Sequence, residues 1–243
     1  MKIMVIAPVS LTPEEIEMRQ RNLEALCSPS TSIKVVPVEG LESVTDASSI
    51  AFLEPGVVRR VQEAERDGFD AAIIHCFSDA GLEAARTLVD IPVVGPVETI
   101  LHVGCLIADR FGIVTLDDNL IPPLRRLIDK YGMASRVVSM KADSIPILEF
   151  RQRTAELEAK FLELSARAIE EGAELIIPGC LAILPALGSG SAMRLAEKLG
   201  VPVLDSSGIV LRIGELLVNM KLAHSKRAFP KGALAKSKLR CNY

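Results

Sequence analysis

Tryptophan is absent from the 243 residues and there are two tyrosines, so aromatic side chains on which single-stranded nucleic acids stack are scarce. The formal net charge is only −3 at pH 7, which provides no general attraction to nucleic acid or to an acidic membrane. No apolar run approaches the roughly 20 residues of a membrane-spanning helix, and the amino terminus lacks the pattern of a secretory signal. We therefore expect a cytoplasmic protein whose partner is a small molecule.

The five cysteines, at positions 27, 76, 105, 180 and 241, form no CxxC pair. Together with three histidines they show no zinc-like spacing, so we expect neither a disulfide framework nor a metal site. Residues 188–191 (Gly-Ser-Gly-Ser) are neither a GxGxxG turn nor a Walker loop. The sequence thus predicts no cofactor, and for Cys27, Cys105 and Cys241 it favours a structural role as small buried hydrophobes.

Strands and helices alternate along the first half of the chain. We predict strands at 2–7, 33–38, 70–74 and 91–94, with helices at about 13–27, 55–66 and 80–88 between them. Thr12, Pro13 and Glu15 form a capping box at the first helix. This alternation is typical of an α/β protein with a parallel sheet covered on both faces.

The second half repeats this order. Cys180 follows Cys76 by 104 positions, and the same offset relates Gly68 to Gly172 and Asp70 to Glu174. Here we predict strands at 110–115, 137–139, 174–178 and 201–204, a helix to Lys130 capped by Asp118 or Asn119, and helices at about 101–108, 147–171, 192–199 and 209–220.

The repeat predicts two α/β lobes related by a pseudo-twofold axis, each a mostly parallel sheet flanked by helices, with the active site between them. The last helix returns to the first half, so residues 1–96 with 208–243 form one lobe and 97–207 the other. Residues 221–243 carry seven Lys or Arg and no Asp or Glu; we interpret them as a solvated or subunit-packing segment.

Cys76 and Cys180 are the candidate catalytic residues. Each ends a buried parallel strand, where open sheets bind ligands, and each precedes a predicted helix start, whose free N–H groups favour a thiolate. Two thiols facing one cleft suit the removal of a proton from one side of a carbon and its return on the other. An enolate formed in this way needs hydrogen-bond donors, which the N–H groups after each cysteine and the hydroxyls of Ser78 and Thr99 could supply.

Several of these residues also have structural interpretations. Ser78 and Asp79 suit helix capping as well as ligand contact, and Glu98 and Thr99 suit loop structure as well as binding. His75 precedes Cys76 and by strand alternation points away from it. His102 and His224 are expected to be packing or surface residues.

The chain resembles the cofactor-independent aspartate/glutamate racemase superfamily, and within it the hydantoin racemases, including allantoin racemases. The segments that carry the resemblance are His-Cys-Phe-Ser-Asp-Ala-Gly-Leu at 75–82, Pro-Val-Val-Gly-Pro-Val-Glu at 92–98, Phe-Gly-Ile-Val-Thr at 111–115, Pro-Gly-Cys-Leu-Ala at 178–182, Val-Pro-Val-Leu-Asp at 201–205 and Leu-Ala-His-Ser-Lys-Arg at 222–227.

The resemblance implies a two-base racemase or epimerase with Cys76 and Cys180 as its acid and base, acting on a 5-substituted hydantoin or related cyclic ureide. It also implies an oligomer, most simply a homo-oligomer. With the reasoning above it predicts a set of substrate-binding residues: Pro8, Val9, Ser10, Phe77, Ser78, Asp79, Glu98, Thr99, Thr115, Gly179, Leu181 and Ala182.

Two departures from the family pattern bear on the substrate. An Asn-Pro-Asn-Thr-like loop is typical after the first strand, whereas residues 7–10 are Ala-Pro-Val-Ser, and Leu181-Ala182 replaces a pair of small residues. An amino-acid racemase acting on aspartate or glutamate is therefore an alternative. A decarboxylase would need only one thiol, and a non-catalytic ligand-binding protein would use the cysteines only for packing.

Overall fold

The computed structural model describes residues 1–232, which form two parallel β-sheets flanked by α-helices. The first sheet has the strand order β2-β1-β3-β4 and the second β6-β5-β7, and every strand pairing in both is parallel. The strands are β1 (Lys2–Ala7), β2 (Ser32–Pro37), β3 (Ala71–Ile74), β4 (Val93–Val94), β5 (Phe111–Thr115), β6 (Val137–Ala142) and β7 (Leu175–Pro178).

Helices follow the strands in alternation, as the sequence predicts for an α/β protein. Short 3-10 turns occupy Asp118–Leu120 and Ile147–Glu149. The α-helices are α1 (Pro13–Glu24), α2 (Ala47–Arg66), α3 (Leu82–Leu88), α4 (Pro96–Gly104), α5 (Ile121–Lys130), α6 (Thr154–Glu170), α7 (Ile183–Ala186), α8 (Ser191–Leu199) and α9 (Ser206–Asn219).

Apolar side chains cover both faces of each sheet. Along the first sheet they alternate, so that Ile3 and Ile73 pack into one core cluster while Met4 and Ile74 pack into another on the opposite face. The cluster that contains Ile73 also contains Ile113 and Ile177 of the second sheet. The two lobes therefore share a core and are not joined by a flexible tether.

Helices α4 and α9 lie between the lobes and pack against each other. A Cβ atom added to Gly214 of α9 would lie 3.4 Å from the Ile73 side chain of the first sheet. One added to Gly104 of α4 would lie 3.2 Å from Leu175 and from Phe111 of the second. The last helix thus returns to the first sheet, as predicted, and close packing at these glycines holds the two lobes together.

Local capping signals account for several helix starts. The Thr12 capping box is confirmed, with Glu15 N–H donating to Thr12 Oγ1 at 3.3 Å and Thr12 N–H to Glu15 Oε2 at 2.8 Å. The predicted caps of the helix to Lys130 were wrong. Asp117 caps the 3-10 turn that precedes α5 and accepts the N–H of Asn119 at 2.8 Å.

Several predicted elements differ in extent. The helix predicted at about 101–108 is α4 (Pro96–Gly104), and the strand predicted at 91–94 is reduced to β4 (Val93–Val94). Helix α2 begins at Ala47 and not near Pro55, because Asp46 caps it by accepting the N–H of Ser49 and the helix continues through the proline. The predicted helix at 147–171 is a 3-10 turn followed by α6. The predicted strand at 201–204 is reduced to one parallel bridge between Val203 and Ile176.

Among the described residues, no helix combines the length and apolarity that a membrane crossing requires.

Candidate active site

Both candidate cysteines follow the carboxyl end of a strand that lies next to the first strand of its sheet. At the end of β3, His75 N–H donates to Ile6 O at 2.9 Å, and the chain then turns so that Ser78 N–H donates to Cys76 O at 2.8 Å. At the end of β7, Gly179 N–H donates to Val114 O at 2.7 Å. Both thiols thus lie at the carboxyl edges of the sheets, where parallel sheets bind ligands.

Cys76 is buried, and its Sγ lies 3.0 Å from the Ser78 hydroxyl. Burial raises the pKa of the Cys76 thiol to about 12, although the Ser78 hydrogen bond lowers it. The negative charges of a Cys180 thiolate and of Asp79 raise it further. Cys76 is therefore a thiol that strongly resists ionisation in the resting protein.

Cys180 is half-buried and accepts the N–H of Ala182 on its Sγ at 3.4 Å. Burial raises the pKa of the Cys180 thiol to about 11, while backbone N–H groups and the charge of Arg19 lower it. The charge of a Cys180 thiolate is also among the causes that raise the pKa of Cys76, so ionisation of one thiol disfavours ionisation of the other. Each sheet thus has one thiol at its carboxyl edge, and the junction is the region between these two edges.

The residue after each cysteine has a free backbone donor. Neither the Phe77 N–H nor the Leu181 N–H donates to any acceptor within residues 1–232. By contrast, the N–H groups of Ser78 and Asp79 donate to Cys76 O. Free N–H groups at matched positions in both lobes can stabilise negative charge on a bound oxygen.

A cavity of about 250 Å³ opens beside Ser78 and Thr115. Its other walls are mainly apolar side chains from α2, α5 and the turn before α5, with two cationic residues that also belong to α5. The lining residues are Ile50, Phe77, Ser78, Thr115, Leu120, Pro123, Leu124, Arg126, Leu127 and Lys130. Of the predicted substrate-binding residues, the cavity thus unites Phe77, Ser78 and Thr115.

Asp79 has a clear structural role. Its carboxylate accepts the N–H groups of Val97 and Glu98, both at 2.9 Å, and the Tyr131 hydroxyl at 2.7 Å. Burial nevertheless raises the pKa of Asp79 to about 6. It caps α4 and not α3, whose N-cap is Gly81 without a side-chain bond.

Three other predicted residues also form hydrogen bonds or ion pairs within the protein. The Ser10 hydroxyl accepts the N–H of Gly40 at 3.1 Å. Glu98 forms an ion pair with Arg86 at 2.5 Å. The Thr115 hydroxyl is buried and donates to Gly179 O at 3.3 Å. Each of these contacts positions the backbone around the junction.

The remaining predicted residues contribute mainly backbone or apolar surface. Pro8 and Val9 are buried in the loop after β1, and Leu181 is buried beside Cys180. Thr99 lies half-buried within α4. Gly179 has no room for a side chain, because an added Cβ would lie 3.0 Å from Ile113 Cγ2 and 3.2 Å from Thr115 Cα.

The other cysteines and histidines lie in separate environments. Cys27 is buried and Cys105 partly buried, and each thiol donates to a carbonyl of its own helix region. His75 Nε2 lies 3.1 Å from Ser207 Oγ, and His224 accepts the N–H of Val93 at 2.7 Å. Cys241 lies outside the described residues, as does much of the predicted basic tail.

Two residues near the junction were missed by sequence reasoning. Tyr131 reaches Asp79 from the C-cap position of α5, and no local pattern indicates that contact. Arg19 has a usable signal, since it is spaced three residues after Ile16 and four before Leu23 on an amphipathic helix. That spacing places a positive charge on the face that carries apolar residues.

The same architecture is found in known racemases. The allantoin racemase of Klebsiella pneumoniae is 30% identical and superimposes with a TM-score of 0.84, covering 95% of this chain and 94% of that one. The allantoin racemase of Pseudomonas fluorescens is 26% identical with a TM-score of 0.86, covering 96% and 97%. The protein is thus a racemase, an isomerase built on two α/β lobes.

Comparison of sequences identifies the family within the racemases. The family model described as Asp/Glu/Hydantoin racemase matches residues 5–213. The hydantoin racemase of Pseudomonas sp. (strain NS671) is 32% identical over 227 residues, which are 93% of this chain and 89% of that protein. The chain belongs to the Asp/Glu/hydantoin racemase family, and the resemblance inferred from the motifs is confirmed.

Proposed function

We propose that this racemase inverts the carbon next to a carbonyl in a 5-substituted hydantoin or related cyclic ureide, with Cys76 and Cys180 as its two acid/base groups and without a cofactor. The observation that supports the proposal is that each sheet has one cysteine directly beyond a strand at its carboxyl edge, Cys76 after β3 and Cys180 after β7. Two groups on opposite sides of a bound ring are what inversion without a cofactor requires.

In the forward step, one cysteine as thiolate takes the proton from C5 of the ring. The electron pair of the broken C–H bond moves into the adjacent carbonyl and forms an enolate. The other cysteine, as thiol, donates its proton to the opposite face of C5, so the product has inverted configuration and the sulfur that donated is left as thiolate. The free N–H groups of Phe77 and Leu181 are the donors we assign to the enolate oxygen.

The cavity supports a ring with an apolar substituent. Ile50, Leu124 and Leu127 provide an apolar wall beside Ser78 and Thr115, and burial of an alkyl or aryl group against it is favourable. The name of the sequence relative from Pseudomonas sp. (strain NS671) also supports a hydantoin. A ring hydrogen at C5 is more acidic than the α-hydrogen of an amino-acid zwitterion, which suits weakly ionised thiols.

A second candidate is an amino-acid racemase acting on aspartate or glutamate. Arg126 and Lys130 line the same cavity and would favour a substrate with an extra carboxylate. Lys130 already pairs with Glu83 at 2.5 Å, however, which leaves less positive charge for a ligand. We therefore place the cyclic ureide first.

We also propose the lobe division 1–96 with 208–243 and 97–207. The packing of α9 against β3 and β4 supports it, as does the contact of Gly104 in α4 with the second sheet. Under this division the first lobe contributes Cys76 and the second contributes Cys180.

The test is hydrogen exchange in heavy water. Single enantiomers of 5-benzylhydantoin, 5-isobutylhydantoin, allantoin, aspartate and glutamate are incubated with the enzyme, and loss of the α-proton is followed by NMR beside optical rotation. We expect exchange and racemisation of the alkyl and aryl hydantoins well above the rate without enzyme. A double variant, Cys76→Ser with Cys180→Ser, controls for spontaneous exchange. Exchange of aspartate or glutamate alone would contradict the proposed substrate class.

A further inference from the structure

The carboxyl end of α5 contacts the first lobe, although α5 belongs to the second lobe in the division proposed above. The hydroxyl of Tyr131, the C-cap residue, donates to Asp79 Oδ2 at 2.7 Å. Lys130 Nζ donates to Glu83 Oε2 at 2.5 Å. Both side chains of this second pair are more than half exposed, so the pair contributes little to stability. The bond of Tyr131 with the buried Asp79 is therefore the stronger of the two links.

The same helix forms much of the wall of the cavity described above. Ser78, in the turn after β3, lines that cavity, and Asp79 is the next residue along the chain. Three apolar residues of α5 also line it: Pro123, Leu124 and Leu127. The Tyr131–Asp79 hydrogen bond thus joins the apolar wall of the cavity to the turn on its other side.

The backbone of Asp79 has a φ of +48°, a conformation that is uncommon for a residue with a side chain. Its carboxylate accepts the N–H groups of Val97 and Glu98, both at 2.9 Å, besides the Tyr131 hydroxyl. A Cβ atom added to Gly95 would lie 2.7 Å from Asp79 Oδ1, so the carboxylate fits closely against the start of α4. Three hydrogen bonds therefore stabilise Asp79 in this conformation.

Asp79 ends the turn that contains the Cys76 thiol. The N–H groups of Ser78 and Asp79 donate to Cys76 O at 2.8 and 3.3 Å, and the Phe77 N–H is the donor assigned above to the enolate oxygen. Burial and the negative charge of Asp79 raise the pKa of the Tyr131 hydroxyl above its ordinary value, so the hydroxyl stays protonated and remains a donor. Loss of this bond removes one of the three restraints on the turn.

We propose that Tyr131 is a positioning residue for racemisation, which acts through Asp79 to hold α5 against the turn after β3. This inference rests on the proposed function and deepens it, because it concerns the same cavity. The apolar wall on α5 contacts the ring substituent, and the turn supplies the Cys76 thiol and the Phe77 N–H. The Tyr131–Asp79 bond keeps these two parts at a fixed distance, so that a substituent held by α5 places C5 of the ring at the thiol.

Tyr131→Phe tests the proposal, since it removes the hydroxyl and keeps the ring, which packs against the core shared by the two sheets. We expect kcat for 5-benzylhydantoin to fall about tenfold, because a small misplacement of the reacting groups slows proton transfer. KM should change less than kcat, because the enolate contact is made only in the transition state. Asp79→Asn should also lower kcat. Adding Tyr131→Phe to Asp79→Asn should lower it no further, because the hydroxyl acts through the carboxylate.

Glu83→Gln is the matched control. It removes the other contact of α5 with the first lobe, and Glu83 is not among the residues that line the cavity. It should keep the parent kcat, and a fall equal to that of Tyr131→Phe would overturn the proposal. Parent kcat in Tyr131→Phe, measured well below its unfolding temperature, would overturn it by showing a role in stability alone. Losses that multiply in the double variant would also overturn it, because Tyr131 would then not act through Asp79.

Amide hydrogen exchange, followed by NMR, tests the same bond without substrate. In Tyr131→Phe we expect exchange at the Ser78 and Asp79 N–H groups to be about fivefold faster than in the parent. Exchange at Gly179 N–H, which donates to Val114 O in the turn after β7, should be unchanged. Unchanged exchange at Ser78 and Asp79 would overturn the proposal whatever the substrate is. Faster exchange together with no turnover of any hydantoin would support the restraint and contradict only the proposed substrate class.

Discussion

The turn after β3 and the turn after β7 each contain a cysteine, Cys76 and Cys180, but their neighbouring residues differ at every position. Residues 75–79 are His-Cys-Phe-Ser-Asp, and residues 179–183 are Gly-Cys-Leu-Ala-Ile. In the first turn a hydroxyl approaches the sulfur and a buried carboxylate caps α4. In the second turn a backbone N–H approaches the sulfur, and an apolar Ile183 is buried where the carboxylate stood. The repeat thus preserves the placement of a thiol but gives each thiol different electrostatics.

The largest expected effect comes from removing either thiol. Cys76→Ser and Cys180→Ser should each lower the racemisation rate about a thousandfold or more, because a hydroxyl is a far weaker acid/base group than a thiol. Each single variant should still exchange the α-proton of one enantiomer in heavy water, and the two variants should favour opposite enantiomers. Polarimetry and NMR measure the two quantities.

Cys105→Ser is the control for the cysteine variants, since that thiol donates to Leu101 O and follows Gly104, which packs against the first residues of β5 and β7 and not against the carboxyl ends of these strands. It should retain the parent rate. Racemisation at the parent rate by Cys76→Ser or Cys180→Ser would refute the two-base mechanism. The differences between the two turns would then affect packing and not catalysis.

The next largest effect is expected from substitution of Gly179, the residue before Cys180. Gly179→Ala places a Cβ 3.0 Å from Ile113 and from Thr115 Cβ, so we expect a loss of about 1–3 kcal/mol in the free energy of unfolding and a marked fall in activity. Gly232→Ala is the control, because nothing lies within 4 Å of its added Cβ. Urea unfolding and the racemisation rate are measured. Equal stability of the two variants would contradict this prediction. It would show that the turn after β7 accepts a side chain before its cysteine, as the turn after β3 does with His75.

The buried carboxylate of the first turn should matter for stability. Asp79→Asn replaces an acceptor of three hydrogen bonds by an amide whose NH2 faces donors, and we expect a loss of about 1–3 kcal/mol. Tyr131→Phe removes one of those bonds and should cost about 1 kcal/mol. Thermal unfolding checks both. A Tyr131→Phe loss larger than that of Asp79→Asn would contradict the view that the carboxylate organises this turn.

The smallest expected effect depends on pH. Burial and the charge of Arg86 lower the pKa of His224 from 6.5 to about 4, and the neutral ring accepts the Val93 N–H. The stability contributed by neutral His224 is complete above pH 6.5 and is lost as the pH falls toward 4. After allowance for solvent screening at this half-buried site, the loss is about 1–2 kcal/mol.

His224→Gln keeps an acceptor for the Val93 N–H but does not titrate, so it should lose less Tm than the parent between pH 7 and pH 4.5. Hydrogen exchange should locate the acid effect at β4 and α3, where Lys226 also binds the carbonyl of Arg86 at 3.0 Å. Equal acid sensitivity of parent and variant, or an effect centred on β7, would contradict this assignment.

Local patterns predicted much of the fold. The capping box at Thr12 was predicted because both of its bonds join residues within one turn. The buried strands were predicted because short apolar runs bounded by polar residues indicate them. Pro55 misled the prediction of α2, since proline is typical of a helix start and here lies in the interior. The strand at 201–204 shrank to one bridge because pairing depends on a neighbour that sequence alone does not specify.

The amino-acid sequence by itself determined the repeated strand and turn, the position of one cysteine in each lobe, and the family to which the chain belongs. Only the tertiary structure decided what surrounds those cysteines. It brought Tyr131, which follows α5, to Asp79, and Arg151, which precedes α6, to Met18 of α1. Electrostatic and hydrogen-bond energies depend on distance through space, and these partners are more than 50 residues apart along the chain.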